Sequence, residues 1–224
     1  MRLKAVTMGK NETGEQPQAP LVVIVDDDPD ICDALRDLLQ SVGIDAISFL
    51  STRALLDADL PERPGCIVLD VRLPGSSGLD LQAQLVSQGN RMPIIFMTGH
   101  ADVPMSVRAM KAGAVDFLTK PVRDQDMLDA ITMAIKRDEV RRKAEADVRR
   151  VKDLASALTP REREVLGCVT RGLMNKQIAY ELGISEITVK LHRGNAMRKM
   201  EVRSVADLVR MSELLGPERS FARS

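Results

Sequence analysis

Five runs of five or six mostly apolar residues punctuate the first 118 positions: "LVVIVD" (21–26), "IDAISF" (44–49), "CIVLD" (66–70), "PIIFM" (93–97) and "AVDFL" (114–118). Each has the length and β-branched content of a buried strand. Between the first two, Ile31, Leu35, Leu38, Leu39 and Val42 recur at the spacing of one helix face. The remaining gaps hold "STRALLDA", "SGLDLQAQLVSQ" and "DVPMSVRAMKAG", each long enough for one crossover helix. A strand–helix unit repeated in this way predicts an α/β doubly wound, five-stranded parallel sheet with helices on both faces. In such sheets the working groups lie at the carboxyl ends of the strands, near the switch in strand order.

Those ends carry the chemistry. The first run ends in Asp26 and Asp27, the third in Asp70, the fourth is followed by Thr98, and Lys120 follows the fifth. Carboxylates gathered at the end of a buried strand repel one another, and desolvation raises the cost, so a cation must neutralise them. Hard oxygen ligands beside a fixed ammonium suit Mg²⁺ and a phosphoryl group. Asp28, followed by Pro29, reads as a helix N-cap in preference to a metal ligand, and Asp30 as a solvated charge in the first helical turn.

The chain has 224 residues and balanced charge, 32 basic against 32 acidic. The balance hides an asymmetry that divides the chain. Residues 21–137 carry 11 Lys/Arg against 17 Asp/Glu, a net −6, while residues 158–215 carry 10 against 7, a net +3. Two domains with different partners fit this better than one. The expected division is a disordered N-terminal extension (1–20), the α/β domain (21–137), a helical linker (138–157), a small all-α domain (158–216) and a flexible tail (217–224). Cys32, Cys66 and Cys168 lack metal-ligand spacing, and an odd number of thiols fits a reducing compartment. With no apolar run of membrane-spanning length and no signal-peptide core, the expected location is the cytoplasm.

From Asp124 to about Ser156 no Gly or Pro interrupts a helix. "KRDEVRRKAEADVRRVKD" is too polar for core, and reads equally as a solvated linker or as a helix that pairs in a dimer. Thr159, Pro160 and Glu162 form a capping box that restarts a helix, "REREVLGCVTRG". "NKQIAYEL", the turn "GIS" and "EITVKLHRGNAMRKM", capped by Ser185, make a helix-turn-helix whose second helix enters the major groove of double-stranded DNA. Ser204 caps a last helix, "VADLVRMSELL". On the recognition helix Val189, Ala196 and Met200 should face the core, while Lys190 and Arg193 should reach DNA and Lys176 a phosphate. His192 reads either as packed or as a phosphate contact.

"VDDDPDI", "VLDVRLPGSSG", "FMTGH" and "DFLTKP" resemble the receiver domain of two-component response regulators over about residues 20–137. The resemblance implies that Asp70 accepts a phosphoryl group from a sensor histidine kinase in a Mg²⁺-dependent reaction. By the same resemblance Asp26, Asp27, Asp70 and the backbone carbonyl of Arg72 bind the metal, Lys120 pairs with the phosphoryl group, and Thr98 and Phe117 switch. It also implies a cis Lys120–Pro121 bond. Leu73 stands where many members have methionine. "LTPREREVL", "KQIAYELGIS" and "TVKLHRGNAMRKM" resemble the LuxR-type DNA-binding domain, which adds Thr188, Leu191 and Gly194 to Lys176, Lys190 and Arg193 as expected DNA contacts. Gly194 replaces the lysine of some relatives. The whole chain resembles FixJ/NarL-type transcription regulators. That implies a homodimer when phosphorylated, an RNA polymerase partner, and no enzyme activity beyond self-catalysed phosphorylation and dephosphorylation; Val107 and Lys111, an apolar–cationic pair one helical turn apart, are the expected dimer contact. A haloacid-dehalogenase-type phosphatase fits less well, because Asp30 stands where its Asp-x-Asp-x-Thr motif needs threonine. A sigma factor would lack the receiver residues, and no P-loop is present for an ATPase-driven activator.

Overall fold

The computed structural model describes residues 19–99 and 103–215, so the expected N-terminal extension up to residue 18, His100 of "FMTGH", and the expected tail lie outside the described residues. Two compact units divide at Arg141 and Arg142.

In the first unit, β1 (Leu21–Val25), β2 (Asp45–Phe49), β3 (Gly65–Asp70), β6 (Ile94–Thr98) and β7 (Asp116–Thr119) form one sheet in the order β2-β1-β3-β6-β7. All four pairings are parallel. Between β3 and the next helix, β4 (Arg72–Leu73) and β5 (Ser76–Ser77) form a two-residue antiparallel ladder. Alternation along β1 decides the layers. Leu21, Val23 and Val25 pack on one face with Leu55 of α2 (Thr52–Leu56), Leu81 and Leu85 of α3 (Gly78–Ser87) and Ala109 of α4 (Val103–Lys111). Val22 and Ile24 pack on the other with Cys32 and Leu39 of α1 (Pro29–Ser41) and Met127, Ile131, Ala134 and Ile135 of α5 (Asp124–Ser156). The doubly wound parallel sheet is the architecture that the strand–helix repeat dictates.

Local chemistry sets the helix ends. Asp28 is the N-cap of α1 and its side chain accepts from the Asp30 N–H at 2.9 Å, with Pro29 in the first turn. Val42 departs from expectation: α1 ends at Ser41, so Val42 caps the helix and is 48% exposed instead of joining its apolar face. Only five residues of "STRALLDA" become helix before Asp57 caps it.

The polar stretch after residue 135 also departs from expectation. Asp138 has no exposed surface; its Oδ2 accepts the Gly65 N–H at 3.1 Å, and its Oδ1 pairs with Arg141 at 2.6 Å. A buried backbone donor at the start of β3 needs an acceptor, and one carboxylate in a run of charges meets that need.

The second unit holds α6 (Pro160–Thr170), α7 (Asn175–Leu182), α8 (Glu186–Lys199) and α9 (Val205–Leu215). Thr159 and Glu162 close the capping box of α6. Gly183 ends α7 with φ +65°, a left-handed conformation that suits glycine, and Ser185 caps α8 through the Thr188 N–H. Val165, Leu166, Val169, Ile178, Val189, Ala196, Met200 and Leu208 make the core, joined by Val151 from the end of α5.

Candidate functional site

The register of the sheet builds the acidic rim. Val25 pairs with Leu69, so Asp26 and Asp70 stand side by side one step beyond that pair. Asp70 in turn pairs with Met97, next to Thr98, and Thr98 pairs with Thr119, next to Lys120. The loop after Asp70 folds back so closely that a Cβ on Gly78 would lie 2.4 Å from the Asp70 carbonyl oxygen, and the Gly78 N–H donates to the Val71 carbonyl at 2.8 Å. Only glycine fits that approach.

Asp26, Asp27 and Asp70 each offer one oxygen within 4.8 Å of the others. Lys120 reaches across: its ammonium donates to Asp26 Oδ2 at 2.6 Å and to Asp70 Oδ2 at 2.9 Å. Asp70 Oδ1 accepts the Arg72 N–H at 3.1 Å, and Asp26 Oδ1 accepts the Asp28 N–H at 3.0 Å. Burial raises the pKa of Asp26 above the ordinary carboxylate value, and its bonds to Lys120 and the Asp28 N–H only partly counter this. Burial alone would lower the pKa of Lys120, but its hydrogen bonds to Asp26 and Asp70 outweigh that and raise it. Asp27 is exposed. Three hard oxygen donors around one gap, two of them nearly buried, fit a small divalent cation.

Thr98 is fully buried at the end of β6. Phe117 is half-buried on β7, its ring centroid 6.1 Å from that of Phe96, and the Lys120–Pro121 bond is cis. Val107 and Lys111 are exposed on α4, and so are Val103 and Met110. Sequence reasoning missed those two, although Val103, Val107 and Met110 recur at i, i+4 and i+7.

On the helix-turn-helix, Lys176 and Lys190 are exposed. Lys176 lines, with Leu173, Gln177, Tyr180 and Glu181, an open hollow of ≈ 480 Å³. Leu191 and Gly194 are exposed, His192 is half-buried, and the half-buried Thr188 shares a hydroxyl hydrogen bond of 2.8 Å with Ser185. Arg193 stands differently from the freely projecting cation expected. It follows Val189 by one turn on the flank of the core face, is half-buried, and donates to Asn175 Oδ1 of α7 at 3.1 Å.

Comparison with known proteins agrees with both units. The family described as "Response regulator receiver domain" matches residues 22–132, and "Bacterial regulatory proteins, luxR family" matches residues 156–212. Nodulation protein W of Bradyrhizobium diazoefficiens is 51% identical over 208 residues, 93% of this chain and 92% of that protein. Transcriptional regulatory protein FixJ of Azorhizobium caulinodans is 44% identical over 89% of this chain and 95% of its own length. Among solved structures, response regulator StyR superposes with a TM-score of 0.81 at 49% identity, covering 87% of this chain and 98% of that one. Full-length FixJ from B. japonicum gives 0.54 at 41%, covering 90% and 98%. With a CheY-like receiver sheet followed by a LuxR-type helix-turn-helix, the chain belongs to the FixJ/NarL-type response regulators of two-component systems, a family of DNA-binding transcription regulators.

Proposed function

We propose that this chain is a phosphorylation-controlled transcription regulator of the cytoplasm, with Asp70 as phosphoacceptor. The observation that carries the reading is the rim itself: three carboxylate oxygens within 4.8 Å of one another, with an ammonium already bonded to two of the groups. An oxygen of Asp70 attacks the phosphorus of a phosphohistidine on a sensor kinase. The P–N bond breaks, the imidazole leaves with its electron pair and takes up a proton, and an acyl phosphate remains on Asp70. The Arg72 N–H and Lys120 hold the carboxylate in place, and Lys120 then pairs with the new phosphoryl oxygens. Mg²⁺ fits Asp26, Asp27, Asp70 and the Arg72 carbonyl, and when bound it supplies positive charge against the equatorial oxygens.

In this reading the phosphoryl group adds about −1.5 to −2 charges beside Thr98. Thr98 turns its hydroxyl toward them and Phe117 moves inward, which alters the surface made by α4 and β7. The face of Val107 and Lys111 then closes a two-fold homodimer. Paired DNA domains span half-sites about 10 bp apart, and two weak contacts become one strong one. Lys190, Thr188, Leu191 and Gly194 address the major groove, Lys176 and Arg193 the phosphates, and the bound dimer recruits RNA polymerase.

The test is mass spectrometry after incubation with a small acyl phosphate. A labile gain of one phosphoryl group is expected with Mg²⁺ and lost in EDTA, in Asp70→Asn and in Asp27→Ala. An undiminished gain in Asp70→Asn refutes the assignment.

A further inference from the structure

The core packing of α8 leaves one face of the helix turned to solvent. Val189, Ala196 and Met200 are buried on the inner side. At about 100° per residue, Ile187, Leu191, Gly194 and Arg198 fall opposite them, at i, i+4, i+7 and i+11. Ile187 is 79% exposed and Leu191 60%, two branched aliphatic side chains in the N-terminal half of a recognition helix, where a polar face would be the cheaper surface. Among the described residues, apart from its chain neighbours and the nearby backbone of α8 itself, no heavy atom lies within 4 Å of the place where a Cβ on Gly194 would stand. Arg193, bonded to Asn175, is not on this face, while Lys190 is exposed to one side of it and the half-buried Thr188 lies on the other.

We propose that Ile187, with Leu191, reads DNA sequence by apolar contact with thymine C5-methyl groups, so that each half-site carries A·T pairs where these side chains meet the major groove. The inference rests on the DNA-binding reading above and adds its specificity. Of the groups displayed in the major groove, only the thymine methyl is apolar. Both kinds of pair present polar edge atoms in the groove, but G·C has no methyl group, so there the two side chains lose the apolar contact that offsets covering those atoms. Four residues of helix rise about 6 Å, so the two contacts fall about two base pairs apart along the groove. Gly194, with no side chain to hold the backbone off, lets the next turn of α8 come close to the base edges. The charge of the unit fits the same occupant: residues 158–215 carry 10 basic against 7 acidic groups, and the exposed ammonium of Lys190 borders the apolar face.

The experiment uses the full chain activated with beryllofluoride, a phosphoryl mimic, and the duplex recovered by repeated selection from random sequences. Each thymine of that duplex is replaced singly by deoxyuridine, which removes the methyl group and keeps every hydrogen-bonding atom. Fluorescence anisotropy should show about a fourfold loss of affinity at two positions per half-site, the effect of about one buried methylene-sized group. Ile187→Ala should be indifferent to deoxyuridine at one of these positions and Leu191→Ala at the other. Both side chains lie outside the core, so the variants keep the fold. Equal deoxyuridine penalties in wild type and both variants, or no penalty at any thymine, overturn the proposal and leave the DNA-binding reading standing. If no sequence is enriched at all, both readings fail together.

Discussion

Lys120 offers the most direct physical test of the acidic rim. Lys120→Met keeps most of the aliphatic stem and removes the ammonium that bonds Asp26 at 2.6 Å and Asp70 at 2.9 Å. Removing one partner of a fully buried ion pair costs about 3–5 kcal/mol, because the other charge stays buried. Here the Asp26 side chain is 1% exposed and that of Asp70 10%, but the lysine side chain keeps 20% exposure, so water screens part of the loss. A cost of about 2–4 kcal/mol follows. Fluorescence is a poor reporter, since the chain has no tryptophan and its one tyrosine, Tyr180, lies in the second unit. Amide hydrogen exchange on β1 and β3 reads the sheet directly. In EDTA the substitution should lower protection there about 30- to 700-fold, at tenfold per 1.4 kcal/mol. Adding Mg²⁺ should return more protection to the variant than to the wild type, because no ammonium competes for the same carboxylates; a cation at about 100 times its Kd returns about 2.7 kcal/mol. Unchanged exchange in EDTA, or equal responses to Mg²⁺, would show that Lys120 does not neutralise the rim.

Two further outcomes follow from the geometry. Glu162 has its pKa lowered from the ordinary 4.5, first by its bond to Lys199 and then by the Thr159 N–H. A lowered folded-state pKa contributes stability that is present above the unfolded value and lost as pH falls through the folded one, so α6 should lose amide protection below about pH 4.5. Glu162→Gln should cost about 1–2 kcal/mol at neutral pH and flatten that acid limb, and parallel pH profiles for the two proteins would refute the account. Val107→Asp, at a position 44% exposed on α4, should leave folding intact and abolish dimerisation induced by beryllofluoride in sedimentation velocity. An undiminished dimer would move the contact to another surface.

The strand ends were legible because the apolar runs are short and each terminates in a residue of distinct chemistry. The caps at Asp28, Thr159 and Ser185 were legible because a cap is a local hydrogen bond between residues two or three apart. Long-range partners left no such trace. Lys120 lies 94 residues from Asp26 in the chain, and no spacing rule announces that its ammonium bonds two carboxylates at once. Asp138 was hidden for a different reason: a run averaged as polar gives no sign that one of its carboxylates points inward. The bond from Arg193 to Asn175 left no trace either, although a place one turn beyond the buried Val189 already puts Arg193 on the flank of the core. The α5 helix shows the limit of periodicity. Its apolar residues divide between two cores, with Ile131 and Ala134 in one and Val151 in the other. Met133 and Val140 stay exposed one heptad apart, but exposed lysines at 136 and 143 occupy the alternate seam positions, which argues against a coiled-coil dimer along that helix.

Asp138 sets a rule for anyone who would graft this receiver onto a different output domain. The sequence family ends at residue 132, an inviting place to cut, yet the fold continues to Arg141. A fusion joined at 132 discards Ala134 and Ile135 from one core face, and with Asp138 it removes the acceptor for the Gly65 N–H, leaving a buried donor unanswered where β3 begins. A fusion joined after Arg141 keeps the carboxylate, its guanidinium partner and the helix that carries both. The portable module is therefore longer than its family signature by about two and a half helical turns.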